Sequence, residues 1–316
     1  MDLLDNDPGD QPAAQSLSRR TLIGAAGVLG IAATAFRVPP AQVAASAAST
    51  RSFLGSNADV FKDIKDGETI SGVKYPGVPR LRGIRMYGVQ PTGMNKQTDH
   101  IRNTWPTPPV ANPGPIVYSI YPVPEHVFSG SLNKTLESLI ASAPPNSYLT
   151  AWHEALSLPF PKYINSANMF KLHAHLNAMT KGTHVTYGSM FGGPRPTGLT
   201  TLFKSVPPNL GFYGLDLYET DGLEKGLARL EQFITQAKLK DTRTHYPRLM
   251  LPECNTPNKD MRPEWFKRVC ERMHVYGSHS IGVLTFWNPT GPLSGPWLPK
   301  DRTTIAAMND ITTHIF

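Results

Sequence analysis

The sequence predicts a single α/β domain, a (β/α)8 (TIM) barrel, on three observations. From Leu81 onward, short β-type runs alternate with helical runs, the pattern of a parallel α/β fold. Once an N-terminal leader is set aside, about 270 of the 316 residues remain, within the size range of one barrel. Two of the strand-like runs end in glutamate, Glu154 and Glu253. In such a barrel the chemistry sits at the C-terminal strand ends, so a carboxylate there is expected to face the mouth. A doubly wound open sheet is the alternative, but no Gly-rich phosphate-binding turn follows an early strand.

Residues 1–47 read as a cleaved leader. Paired Arg19 and Arg20 precede an uncharged run from Leu22 to Phe36. That run is shorter than the roughly 20 residues a spanning helix needs. Small residues from Val43 to Ala47 then offer a cleavage site. The pattern resembles a twin-arginine export signal, and no cysteine follows it to take a lipid anchor. The expectation is a secreted or cell-envelope protein, exported folded, a monomer without a stable membrane anchor.

Loss of the leader removes three arginines and four aspartates, so the formal net charge moves only from +7 to about +8. No basic run with interleaved aromatics follows, which argues against a nucleic-acid partner. Two cysteines, Cys254 and Cys270, cannot build a disulfide framework. Cys254 should point away from the barrel axis. The pair could form one bridge, but two free thiols are favoured for a chain folded in the cytoplasm.

Residues 48–79 are expected to be an extension leading into the barrel at 80–316. The strands are expected at Arg82–Gly88, Pro115–Tyr121, Tyr148–Glu154, His184–Met190, Phe212–Tyr218, Arg248–Glu253 and Ser280–Trp287, with one more hidden in Thr98–Trp105. Helices are expected between them. Leu132, Leu136, Leu139 and Ile140 recur at helical spacing. Ser166 starts a helix that Gly182 stops. Leu223, Leu227, Leu230, Phe233 and Ile234 stripe one face of Gly222–Lys238. Pro263 and Gly277 bound a helix ending near Tyr276, and a last one runs near Thr303–Ile311.

Two carboxylates facing one cavity suit glycoside hydrolysis, one as acid and the other as nucleophile or base. On the His153–Glu154 pair, the Pro252–Glu253 ending and the Phe286–Trp287 ending, the chain resembles the clan A retaining glycoside hydrolases, nearest the β-mannanase-like endoglycanase branch. The similarity covers most of residues 80–315 and rests on short strand-end motifs. It implies that Glu154, after strand 4, protonates the departing oxygen, with Trp152 supplying an apolar setting. It implies that Glu253, after strand 7, attacks the anomeric carbon, with Tyr218 donating to it. His153 would bind a sugar hydroxyl, and Trp287 would floor the ring. The loop carrying Trp297 would help shape the cleft.

Relatives carry an early-strand arginine. Alternation puts Arg85 and Tyr87 on one face, and Arg85 is favoured over Arg82. Asp216 shares the inward face of Tyr218. A retaining enzyme requires carboxyls about 5–5.5 Å apart. The implied partner is a polysaccharide or oligosaccharide, with no cofactor and no metal. His173 and His175, two apart on a helix, cannot chelate together. Trp152 and Trp287 have a competing reading as core aromatics. A non-catalytic carbohydrate-binding protein on a degenerate barrel is the alternative function, and an exported redox or metalloprotein is a third.

Overall fold

The structure, a computed structural model, describes residues 54–57, 69–70, 73–74, 81–87, 99–108, 115–145, 147–155, 163–192, 198–218, 222–243, 248–276, 281–286 and 301–314. The expected leader, Trp287 and Trp297 lie outside them. In chain order the strands are β1 (Leu54–Asn57), β2 (Thr69–Ile70), β3 (Val73–Lys74), β4 (Leu81–Tyr87), β5 (Ile116–Ile120), β6 (Ser147–Ala151), β7 (Val185–Phe191), β8 (Phe212–Tyr218), β9 (Leu249–Asn255) and β10 (Ile281–Phe286). The helices are α1 (Pro124–Phe128), α2 (Asn133–Ala141), α3 (Ser166–Thr180), α4 (Leu199–Lys204), α5 (Leu223–Lys240), α6 (Arg262–Tyr276) and α7 (Arg302–His314).

The fold is α/β, built on a parallel sheet in which β4 to β9 pair in sequence order as a six-stranded half-barrel. β10 pairs in parallel with β9, and β1 with both β10 and β4. β2 and β3 form a separate antiparallel pair. The strand expected in Thr98–Trp105 is not found among the described residues there, where His100 makes only an isolated bridge to Tyr121. Asp99 instead accepts from the Val123 backbone at 2.7 Å and pairs with His126. The additional strand is β1, inside the stretch expected to be an extension.

Helix ends follow local chemistry. Asn165, one residue before the expected cap, accepts from the Asn168 backbone N–H at 3.0 Å and so satisfies a free donor of the first turn of α3. Gly182, just past the end of that helix, has φ of +81°, which glycine adopts without a Cβ penalty.

The sheet separates two apolar layers. A small inner cluster holds Val117, Tyr148, Met190, Phe212 and Met250. The larger outer core packs alternate strand residues, such as Leu149, Leu215 and Leu251, against helix residues such as Leu136, Leu172, Leu230 and Phe233. Each such side chain, fully buried, contributes about 1.5–3 kcal/mol.

β9 departs from simple alternation where it matters. Gly214 pairs with Met250 but Asp216 pairs with Glu253, so β9 carries one extra residue. Its other neighbour records the same insertion, with Leu284 opposite Leu251 and Phe286 opposite Cys254. Met250 lies in the inner cluster, and without the bulge Glu253 would face the helices. The bulge brings Glu253 level with Asp216 and leaves Cys254 in the outer core. Both cysteines are free and buried, and burial pushes the Cys254 thiol up to about 12.

Candidate active site

Glu253, only 5% exposed at the C-terminal end of β9, is the centre of a buried polar cluster. The Tyr87 hydroxyl donates to its Oε1 at 2.7 Å, and the Tyr218 hydroxyl donates to its Oε2. Arg85 Nε lies 3.4 Å from Oε1. The donors come from β4 and β8, so the carboxylate is clamped across the sheet rather than within one strand. Hydrogen bonds to a charged acceptor are stronger than neutral ones, and together these fix the orientation of the carboxylate.

Arg85 is completely buried, and its two terminal nitrogens are held by β4 and β5. Nη1 donates to the carbonyls of Met86 at 2.7 Å and Val117 at 3.3 Å, and Nη2 to Ser119 Oγ at 2.8 Å. Its guanidinium carbon also sits 4.2 Å from the centroid of the Tyr87 ring. Burial works against the charge, but the acidic groups around it, Glu253 among them, more than offset it and raise the guanidinium pKa. Burial, then the Glu253 charge, raise the Tyr87 and Tyr218 hydroxyls well above the usual phenol value, so both remain donors. Tyr87 is itself 37% exposed, which connects the clamp to the surface.

His153 joins from the end of β6. Its Nδ1 lies 3.0 Å from the Tyr121 hydroxyl, and its ring centroid lies 5.6 Å from that of Tyr87. Burial, reinforced by Arg85, holds His153 well below the ordinary imidazole value, so the ring is neutral. Tyr121 was not foreseen, although it shares the parity of Val117 and Ser119, which would have placed it on the inner face.

The two residues flanking His153 take another direction. Trp152 and Glu154 have φ of +50° and +58°, left-handed values that side-chain-bearing residues seldom adopt. Trp152 is 1% exposed, its ring edge-on to Tyr121 and Tyr163, its indole N–H donating to the Pro122 carbonyl at 2.7 Å. Trp152 is thus packed as a core aromatic, the competing reading of this residue, and it lines the same small cavity as Glu154.

Glu154 is half-buried and lines a small cavity with Trp152, Met169, His173, Ser189 and Ser205, between the ends of β6 and β7 and the helices α3 and α4. A Cβ on Gly192 would meet its Oε1, so the carboxyl packs against the bare glycine backbone there. Its charge nevertheless reaches the Glu253 cluster, since it acts on Asp216, Tyr121 and Tyr218. The structure thus brings together Arg85, Tyr87, His153, Tyr218 and Glu253, and sets Glu154 at the edge of that group.

Among the described residues no group of three or more His, Cys, Asp or Glu is placed to hold a metal ion. Among them, too, no helix is long and apolar enough to cross a membrane. No protein-family model matches the chain, and no curated protein matches it.

Proposed function

We propose that the sheet is a complete (β/α)8 barrel and that the protein is an exported retaining glycoside hydrolase acting on a polysaccharide or oligosaccharide. The observation that carries this reading is the clamp on Glu253: two phenol donors and a buried guanidinium, aimed at one carboxylate at a strand's C-terminal end. A carboxylate held this way is oriented as a nucleophile. Its Oε attacks the anomeric carbon while Glu154 donates its proton to the departing glycosidic oxygen. Water, deprotonated by Glu154, then releases the sugar from the glycosyl-enzyme and regenerates Glu253.

Within this reading Tyr218 and Tyr87 orient the nucleophile, and Arg85 balances its charge. Neutral His153, tied to Tyr121, presents a ring nitrogen to a sugar hydroxyl. The resemblance assigns the floor under the sugar ring to Trp287 and a part in shaping the cleft to the loop carrying Trp297.

Hydrolysis of a chromogenic glycan panel tests the proposal. Wild type should release chromophore from at least one glycan, and Glu253→Gln and Glu154→Gln should each lose nearly all of that turnover while staying folded. Unchanged turnover in both variants would sink the assignment.

One observation favours a second reading, carbohydrate binding without turnover: the Glu154 carboxyl lies over Gly192, beside the clamp rather than in it. That reading predicts glycan binding by calorimetry with no release from any member of the panel.

A further inference from the structure

We infer that Asp216 is held as the neutral acid at neutral pH and serves as a positioning residue that leaves Glu253 the anion beside Arg85. The inference deepens the nucleophile reading of Glu253 and rests on it for its catalytic meaning.

Asp216 is completely buried on β8, directly opposite Glu253 in the β8–β9 register. Among the described residues neither of its carboxyl oxygens has a hydrogen-bond partner. Glu253, on the neighbouring strand, collects the donors instead. The charged groups acting on Asp216 are Glu253 from β9, Glu154 from beyond β6, Arg85 from β4 and Arg229 from α5. An ionised Asp216 would in turn act on Tyr87 of β4, on Tyr121 after β5 and on Tyr218 of its own strand.

Neither Arg85, which faces Glu253, Ser119 and backbone carbonyls, nor Arg229 donates a hydrogen bond to Asp216. Burying a carboxylate without donors is far costlier than burying the neutral acid. The proton therefore belongs on the group with no donors. In agreement, burial first, then Glu253 and Glu154, push Asp216 well above the ordinary carboxylate range, and Arg85 and Arg229 offset only part of this. A neutral Asp216 leaves the field of Arg85 to the nucleophile. An ionised one would set a second negative charge beside it and compete for the same cation.

Asp216→Asn keeps the shape and imitates the neutral acid, which makes the proton measurable without any substrate. The unfolded wild type carries an ionised aspartate above about pH 4.5. Folding then takes up one proton that the Asn variant does not. From about pH 5 up to neutral pH, the unfolding constant of wild type relative to Asp216→Asn should rise roughly tenfold per pH unit. Wild type should also show an infrared band of a protonated carboxyl at neutral pH, shifted by isotope-labelled aspartate but not by labelled glutamate. That band carries the test alone if the variant does not fold. A pH-independent ratio of unfolding constants, or no aspartate-sensitive band at neutral pH, would overturn the inference. Neither measurement involves turnover, so a chain that cleaves no glycan still decides it.

Discussion

Glu253 draws its donors from residues far apart in the chain, Tyr87 and Tyr218, and each should matter by the strength of a charge-assisted hydrogen bond. Such a bond contributes about 1.5–3 kcal/mol. If it is kept or strengthened in the transition state, Tyr218→Phe or Tyr87→Phe should lower kcat/KM roughly 10- to 150-fold, measured on the glycan that wild type cleaves best. Unaltered kcat/KM in both variants would remove the clamp from the mechanism. Alternation alone made much of this cluster legible: Arg85, Tyr87, Asp216 and Tyr218 all face inward as the period of two requires. It failed at Trp152 and Glu154, because left-handed backbone at both positions breaks the period at the end of β6. Nothing in the residue types of that stretch announces the break.

Strands and helices were readable where their apolar pattern is strong. β5 and β8 are buried along their length or nearly so, and the striped face of α5 packs Leu227, Leu230, Phe233 and Ile234 into the core. β1 was missed because Leu54–Asn57 holds one apolar residue beside Gly, Ser and Asn, which are weak strand formers. The bulge in β9 was also invisible. Glu253 faces inward because of an inserted residue and not because of its parity, although Cys254 was rightly expected to face the helices. At this scale the cap of α3 gives a measurable consequence. Asn165→Ala removes the acceptor for the Asn168 N–H and should cost about 1 kcal/mol in urea unfolding. No change in the unfolding midpoint would mean that the cap contributes nothing to stability.

Stability of the whole molecule should depend on pH through three buried groups. His153 is held well below its ordinary value by burial and Arg85, and His173, between Tyr187 and Ser189, is lowered by burial to about 3. In the unfolded chain both protonate near pH 6.5, so below that pH the unfolded state binds more protons and stability falls as pH falls. Asp216 acts with the opposite sign. Its raised value means that the folded state binds the extra proton above about pH 4, so its contribution diminishes as pH rises. Each group is worth about 1.4 kcal/mol per pH unit. Two histidines against one aspartate leave a net loss of stability as pH drops from about 6 to 4.5. Urea unfolding at several pH values reads this slope, and a stability that rose on acidification would contradict the buried neutral histidines.

The claim on which the rest depends is that Glu253 forms a bond to sugar. Incubation with a panel of 2-deoxy-2-fluoro glycosyl fluorides, followed by mass spectrometry of the digested protein, reads that bond directly. The expected result is a single glycosyl adduct on the peptide spanning Leu249–Asn255, located on Glu253 and absent from Glu253→Gln. Cleavage of a glycan by wild type with no adduct on Glu253, or with the adduct on another residue, would contradict the account.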